Sequence, residues 1–122
     1  MKNGKGATSP GKNEKKVQKM ERLQELEKVF EKVDEDKVKV IKPLLLDVVF
    51  MEGRLKELRE LPQIRIHPTD KTKQETTAAG KQYKETMQAY LNAIKVLQMT
   101  LSRYSEEAED AFDAWLKENG NE

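Results

Sequence analysis

The chain has 122 residues, enough for one domain and too few for two ordinary ones. Only 36% of the residues are apolar and 37% are charged, and the mean hydropathy is −0.87, a balance that suits long amphipathic helices better than a compact globule. Cysteine is absent, which excludes disulfides, cysteine-based zinc sites and cysteine nucleophiles. Since no apolar run reaches the length of a membrane span or of a signal-peptide core, we expect a soluble cytoplasmic protein.

The net charge is only +1, but the charge is unevenly distributed along the chain. Residues 1–22 hold seven cations and two anions, whereas residues 105–122 hold one cation and seven anions. A basic segment of this kind can contact phosphates, an acidic membrane surface or an acidic protein, and it is also typical of a solvated tail. Composition alone leaves these alternatives open.

The first twelve residues mix glycine, serine and proline with lysine, and we predict a flexible basic arm over 1–12. From Asn13, a plausible N-cap, one helical domain is predicted over 13–119. Its first helix is expected at about 14–33, because apolar residues recur there at spacings of three and four. These residues are Val17, Met20, Leu23, Leu26, Phe30 and Val33.

The second helix is predicted at about 37–61 and is closed by Pro62. It contains Pro43, which lacks a backbone donor and should bend the helix or mark its true start. Residues 40–51 are apolar on more than one face. We therefore expect this segment to be covered from two sides, by a third helix or by a neighbouring subunit.

A loop is predicted over 62–77, a length at which loops are usually functional or disordered. Within it, residues 64–66 alternate apolar and charged, but three residues are too few to predict a strand. The third helix is predicted at about 78–104. Ser105 then serves as the N-cap of a short fourth helix over 106–118.

The second and third helices each carry a narrow apolar seam with the alternating spacing of heptad a and d positions. The sequence therefore predicts an all-α fold: a long antiparallel helical hairpin with an N-terminal helix and a short C-terminal helix. Because one chain has too few apolar residues to cover its own stripes, we expect it to assemble into an oligomer. The seam residues are Ile41, Leu44, Val48, Met51, Leu55 and Leu58, followed by Tyr83, Met87, Tyr90, Ile94, Leu97 and Leu101.

The sequence offers little for bond chemistry. His67 is the only histidine and lies in the loop without a second histidine, a cysteine or a carboxylate pair to serve as its partner. No spacing matches an EF-hand, a two-metal cluster or a phosphate-binding loop. We therefore expect no enzyme activity, no metal and no cofactor.

Basic residues supply the best candidates for nucleic-acid contact. Lysines near a helix end would bind phosphates and give salt-dependent, sequence-poor binding. The candidates are Lys2, Lys5, Lys12, Lys15, Lys16, Lys19 and Arg22 near the N-terminus.

About two-thirds of the chain resembles the small terminase subunits of tailed phages and prophages of Gram-positive bacteria. The resemblance lies in a long helix, a polar loop, a second long helix and an acidic end. The matching residues are Phe50, Met51, Glu52, Leu55 and Leu58 in the first long helix, and Tyr90, Ile94, Lys95 and Leu97 in the second.

This resemblance implies a DNA-packaging protein without catalysis that works in the cytoplasm of the bacterial host. Small terminase subunits assemble into homo-oligomeric rings, bind double-stranded phage DNA and pass it to the large subunit, which holds the ATPase and the nuclease. The basic N-terminal segment, together with Lys71, Lys73 and Lys81, would then face DNA. The acidic C-terminal helix would be available to the large subunit.

Two other readings follow from the residues. The second functional hypothesis is a helical coiled-coil adaptor or regulator that binds proteins and no DNA. The third hypothesis is an enzyme. A clear helix-turn-helix, which some small terminases have, is missing here, which favours phosphate contact over site-specific readout.

Overall fold

The computed structural model describes residues 12–118, with side chains from Lys16 onward. Within this part of the chain, the elements in order are α1 (Lys12–Val29), α2 (Glu35–Arg59), β1 (Ile64–Ile66), β2 (Gln74–Thr76), α3 (Ala78–Ser102) and α4 (Glu106–Glu118). The prediction of a mostly helical chain is confirmed. It is incomplete in one respect, because a small two-stranded sheet interrupts the helices.

The first helix differs from its prediction at both ends. Its described part begins at Lys12, so Asn13 lies inside the helix and not at its N-cap. Apart from Lys12, the arm predicted over 1–12 lies outside the described residues. It ends at Val29 because the next residues form a tight turn, in which the Phe30 and Val33 amides donate to carbonyls three residues back, at 3.1 and 3.0 Å. This turn carries both side chains into the core.

The second helix starts two residues earlier than predicted, at Glu35, and the Asp34 side chain caps it by accepting from the Asp36 amide at 3.2 Å. Pro43 lies inside this helix, so it does not mark the start. Its ring is exposed. Residues 40–51 were predicted to be covered from two sides. Within one chain they are covered only in part, because Val40 and Phe50 remain exposed.

The helices close into a four-helix bundle in which α2 contacts α1 and α3, while α4 contacts α3 and α1. α2 and α3 run in opposite directions, since Glu52 bonds Tyr90 whereas Arg54, two residues later, bonds Gln82. The buried core draws on all four helices and on the turn after α1. Its fully buried large side chains are Leu26, Phe30, Leu45, Val48, Leu58, Leu97, Leu101 and Phe112.

The predicted seam residues lie between α2 and α3 and differ in their burial. Those on α2 comprise three buried residues, Val48, Leu55 and Leu58, and three half-buried ones, Ile41, Leu44 and Met51. Those on α3 comprise four buried residues, Tyr90, Ile94, Leu97 and Leu101, and two half-buried ones, Tyr83 and Met87.

Candidate nucleic-acid interface

The fold brings the basic start of α1 towards the end of the molecule that holds the small β1–β2 sheet. Lys19 packs on Gly53 so closely that a Cβ at Gly53 would lie 2.8 Å from the lysine Cε. Eight residues further along α1, Glu27 pairs with Lys42 at 3.5 Å, so α1 and α2 run in opposite directions. Since a helix rises about 1.5 Å per residue, the start of α1 and the end of α2 lie at the same level, each about 10 Å beyond the Lys19–Gly53 contact.

The two ends of the bundle differ in charge. Residues 54–84, which hold the end of α2, the sheet and the start of α3, carry eight cations and four anions. The opposite end, formed by residues 31–37 and 103–113, carries three cations and nine anions. We call these the basic end and the acidic end. An anionic polymer would meet an attractive field only at the basic end.

The loop predicted over 62–77 contains the small sheet, which is a correction to the sequence prediction. β1 and β2 pair antiparallel with Ile64 opposite Thr76, Arg65 opposite Glu75 and Ile66 opposite Gln74. Three residues in each strand are sufficient here because the base of the hairpin is fixed to the bundle. This is a tertiary effect that the local sequence pattern does not reveal.

The base of the hairpin is held by Gln63, Thr77 and Gly80. The Thr77 amide donates to the Gln63 carbonyl at 3.1 Å, and the Thr77 hydroxyl donates to the Pro62 carbonyl at 2.5 Å while accepting from the Gly80 amide at 3.0 Å. A Cβ at Gly80 would overlap the Gln63 carbonyl oxygen. Glycine at this position therefore permits the close approach of the hairpin to α3.

The tip of the hairpin, residues 67–73, is ordered by its own side chains. His67 Nδ1 accepts from the backbone amides of Thr69 and Asp70 at 3.2 and 3.1 Å, which requires that this nitrogen carry no proton. Asp70 accepts from the Thr72 hydroxyl at 2.6 Å and from the Thr72 amide at 3.0 Å. These two bonds, the hydroxyl bond first, lower the pKa of the Asp70 carboxyl. The tip presents Lys71 and Lys73 as exposed side chains.

The lysines predicted to contact phosphate fall into four pairs. Lys16 and Lys19 are exposed on α1, and the ammonium of Lys19 lies 5.7 Å from the centre of the Phe50 ring. Lys71 and Lys73 are exposed at the hairpin tip. Lys12 and Lys15 belong to α1, with side chains outside the described part, and Lys2 and Lys5 lie outside the described residues.

Arg22 is not available for phosphate, which corrects its assignment. Its Nε and Nη2 donate to the two carboxylate oxygens of Glu52 at 3.1 and 2.9 Å, and its Nη1 donates to the Trp115 carbonyl at 2.9 Å. The guanidinium also lies 3.8 Å from the centre of the Trp115 ring, and the indole Nε1 donates to the Arg22 carbonyl at 3.1 Å. A guanidinium held in this way is a structural group.

Glu52 lies at the centre of this cluster and is only 4% exposed. It also accepts from the Tyr90 hydroxyl at 3.1 Å, so the cluster contains one side chain from each of the four helices. Burial, followed by the negative charge of Glu52, raises the pKa of the Tyr90 hydroxyl far above its ordinary value. The cluster links the four helices, and both carboxylate oxygens of Glu52 are occupied by hydrogen bonds.

Sequence reasoning missed this cluster, although one signal was present. Glu52 lies four residues after Val48 and three before Leu55, which places a carboxylate on the buried face of α2. A buried carboxylate needs a cationic partner, but its identity depends on how α1 packs against α2.

A second surface lies on the face of α2 and α3 that is turned away from α1 and α4. It is a groove of about 450 Å³ between the two helices, and Phe50 at its edge is 60% exposed. The groove is lined by Leu44, Asp47, Phe50, Met51, Ala89, Asn92, Ala93 and Val96. Near the acidic end, a further depression lies between the same two helices and includes Val40, which is 79% exposed.

Comparison of this chain with protein-family models, curated proteins and solved structures found no match. Among the described residues, no group of three or more histidine, aspartate or glutamate side chains is arranged to hold a metal ion. None of the helices in residues 12–118 combines the length and the apolar character that crossing a membrane requires.

Proposed function

We propose that this chain is a non-catalytic DNA-packaging protein of the small terminase type, which binds double-stranded DNA as a homo-oligomeric ring in the cytoplasm of a bacterial host. One observation carries the proposal: the start of α1 and the hairpin, two basic segments far apart in the sequence, lie at one end of the bundle. The resemblance of the α2 and α3 sequences to small terminase subunits supports the same function.

The assembly is supported by the exposed groove between α2 and α3. A monomeric helical bundle usually covers its large apolar side chains, whereas Val40 and Phe50 stand largely in solvent here. Contact with neighbouring copies would cover them, and a contact between different surfaces of successive copies forms a ring when the rotation from copy to copy closes. The acidic end would remain free for the large terminase subunit.

The DNA function is tested by charge reversal at the two ends of the bundle. The basic-end variant is Lys16→Glu with Lys71→Glu, and its control is Lys32→Glu with Lys37→Glu at the acidic end. The change in net charge is identical, so a nonspecific effect of total charge would weaken both equally. We expect the basic-end variant to lose duplex binding by about tenfold or more, and the control to bind as the wild type. Fluorescence anisotropy with a labelled duplex measures this.

The second candidate function is a helical adaptor that binds another protein and no DNA. The exposed apolar groove is the observation that favours it, because such a groove accepts an amphipathic helix as readily as it accepts a second copy. If the intact protein binds no duplex in about 50 mM salt, the DNA-packaging function is wrong and the adaptor function replaces it.

A further inference from the structure

The hairpin of β1 and β2 has two unlike faces. Directly opposite residues of an antiparallel pair lie on the same face, so Ile66 and Gln74 share one face and Arg65 and Glu75 share the other. Ile66 is 54% exposed, and Gln74 is exposed beside it. On the other face, Arg65 Nη2 lies 3.4 Å from the Glu75 carboxylate, so its charge is already paired. We call the first the Ile–Gln face and the second the ion-pair face.

Ile66 is a large apolar side chain that stays exposed on the two-stranded ribbon. Ile66 does not belong to the buried core or to the half-buried residues packed against it. Its strand is fixed at the base and ordered at the tip by the His67 and Asp70 bonds described above. The Ile–Gln face is therefore presented in one conformation, and a partner would not have to order it on binding.

The dimensions of the ribbon fit a groove of DNA. Two strands lie about 4.8 Å apart, and three residues extend for about 10 Å before the tip begins. The major groove of B-form DNA is about 12 Å wide and about 8.5 Å deep and admits a two-stranded ribbon, whereas the minor groove is only about 6 Å wide. In the major groove, isoleucine can contact thymine methyl groups and glutamine can bond to base edges.

We propose that the hairpin enters the major groove of double-stranded DNA with its Ile–Gln face towards the bases. Lys71 and Lys73 at the tip then lie near the phosphates on either side of the groove. The start of α1, at the same end of the bundle, holds the backbone beside it. This inference rests on the proposed DNA function and adds the element that reads the duplex and the form of duplex it accepts.

The ion-pair face is unsuited to the same contact. With this face towards the bases, the Glu75 carboxylate would enter the negative potential between the two phosphate backbones and would be repelled by it. A-form RNA is also excluded as the preferred partner, because its major groove is deep and too narrow for side chains to reach the bases. The orientation and the preference for DNA thus follow from the same geometry.

The test removes the Ile–Gln face without changing any charge. The variant is Ile66→Ser with Gln74→Ser, and its matched control is Leu91→Ser on α3, where the leucine is 52% exposed. We expect the hairpin variant to bind duplex DNA about tenfold more weakly, with an unchanged slope of log K against log salt, because no phosphate contact is lost. The control should bind as the wild type, and circular dichroism should show the same helix content in all three proteins.

A duplex RNA of the same sequence completes the experiment. The wild type should bind it at least about tenfold more weakly than the DNA duplex, and the hairpin variant should lose most of this preference. Equal binding of DNA by wild type and hairpin variant, or equal binding of DNA and RNA by the wild type, overturns the groove contact. Such a result would leave the DNA function intact if the charge-reversal variants still lose binding. Failure of the wild type to bind any duplex would overturn both proposals.

Discussion

The two faces of the α2–α3 pair offer the clearest comparison in this molecule. On the face turned towards α1 and α4, Val48 and Leu97 are fully buried, and the only buried charge, Glu52, has partners for both of its oxygens within the described residues. On the opposite face, Phe50 is exposed at the groove, and Val40 is exposed in the depression near the acidic end. No helix of the described chain covers the groove. The same two helices thus carry apolar residues on both faces and bury only one.

This difference means that the described chain completes one core and leaves a second apolar surface exposed. On the inner face, the buried carboxylate of Glu52 requires hydrogen-bond partners, which Arg22 and Tyr90 supply. The groove on the outer face is lined mainly by apolar side chains, with Asp47 and Asn92 beside them. Substitutions on the two faces should therefore have unlike effects, and the following predictions use that contrast.

The largest effect is expected from Glu52→Ala on the inner face. The substitution leaves the guanidinium of Arg22, which is only 15% exposed, without its anion, and leaves the Tyr90 hydroxyl without its acceptor. We expect a loss of about 3–5 kcal/mol in the free energy of unfolding, as is typical when one partner of a buried pair is removed. Urea denaturation followed by circular dichroism measures this loss.

A second variant shows whether the cost of Glu52→Ala arises from the unpaired arginine. Replacing both partners, with Arg22→Met and Glu52→Met, should cost less than Glu52→Ala alone, because no buried charge is left unpaired. A double variant as unstable as Glu52→Ala would mean that the cluster acts through packing rather than through its charges.

The next effect compares two adjacent residues of α3. Leu97 is fully buried on the inner face, and Val96, which lines the groove, is 48% exposed. Leu97→Ala should lower the free energy of unfolding by about 2–5 kcal/mol through the cavity it creates. Val96→Ala should change it by less than about 0.5 kcal/mol. Similar losses at the two positions would show that the outer face is packed in solution.

The sequence predicted the helices well because their apolar residues recur at helical spacing. Val48, Leu55, Leu97 and Leu101 of the two predicted seams follow a heptad pattern and are buried in the structure. The hairpin was not predicted, because three alternating residues carry too little information. It forms where Gly80 allows the backbone at Gln63 to approach α3.

The candidate site was predicted in part. Lys16 and Lys19 were identified from the basic run near the N-terminus, and Lys71 and Lys73 from the resemblance to small terminase subunits. Their position at one end of the bundle depends on the antiparallel packing of α1 on α2. Arg22 was assigned to phosphate because it lies in a basic run. Its true partner, Glu52, is 30 residues away in the sequence, and no local pattern connects the two.

A smaller effect is expected from Tyr90→Phe, and it depends on pH. Because burial and the charge of Glu52 raise the pKa of the Tyr90 hydroxyl, the folded protein retains this proton above pH 10 while the unfolded chain loses it. The stabilisation is present below pH 10 and is lost as the pH rises further. We expect Tyr90→Phe to cost about 1 kcal/mol near neutral pH. We also expect the variant to lose less stability than the wild type between pH 10 and 12.

Thermal unfolding at a series of pH values measures this difference. The control is Tyr104→Phe, since Tyr104 is 39% exposed and its hydroxyl lies outside the cluster. If the two phenylalanine variants respond to alkaline pH in the same way, the Tyr90 proton is not coupled to folding.

The smallest effect on stability, and the one that tests the outer face directly, is expected from Phe50→Asp. The aspartate can remain hydrated, because the position is 60% exposed, so the free energy of unfolding of the single chain should change by less than about 0.5 kcal/mol. In an assembly that covers the groove, however, the same carboxylate would be buried without a partner and would oppose association. Light scattering should therefore show a lower mass for Phe50→Asp than for the wild type.

Leu46→Asp is the matched control, because Leu46 lies on the same helix, is 47% exposed and does not line the groove. If both variants keep the wild-type mass, copies of this chain do not meet at the groove, and the exposed face of α2 and α3 is left to a different protein.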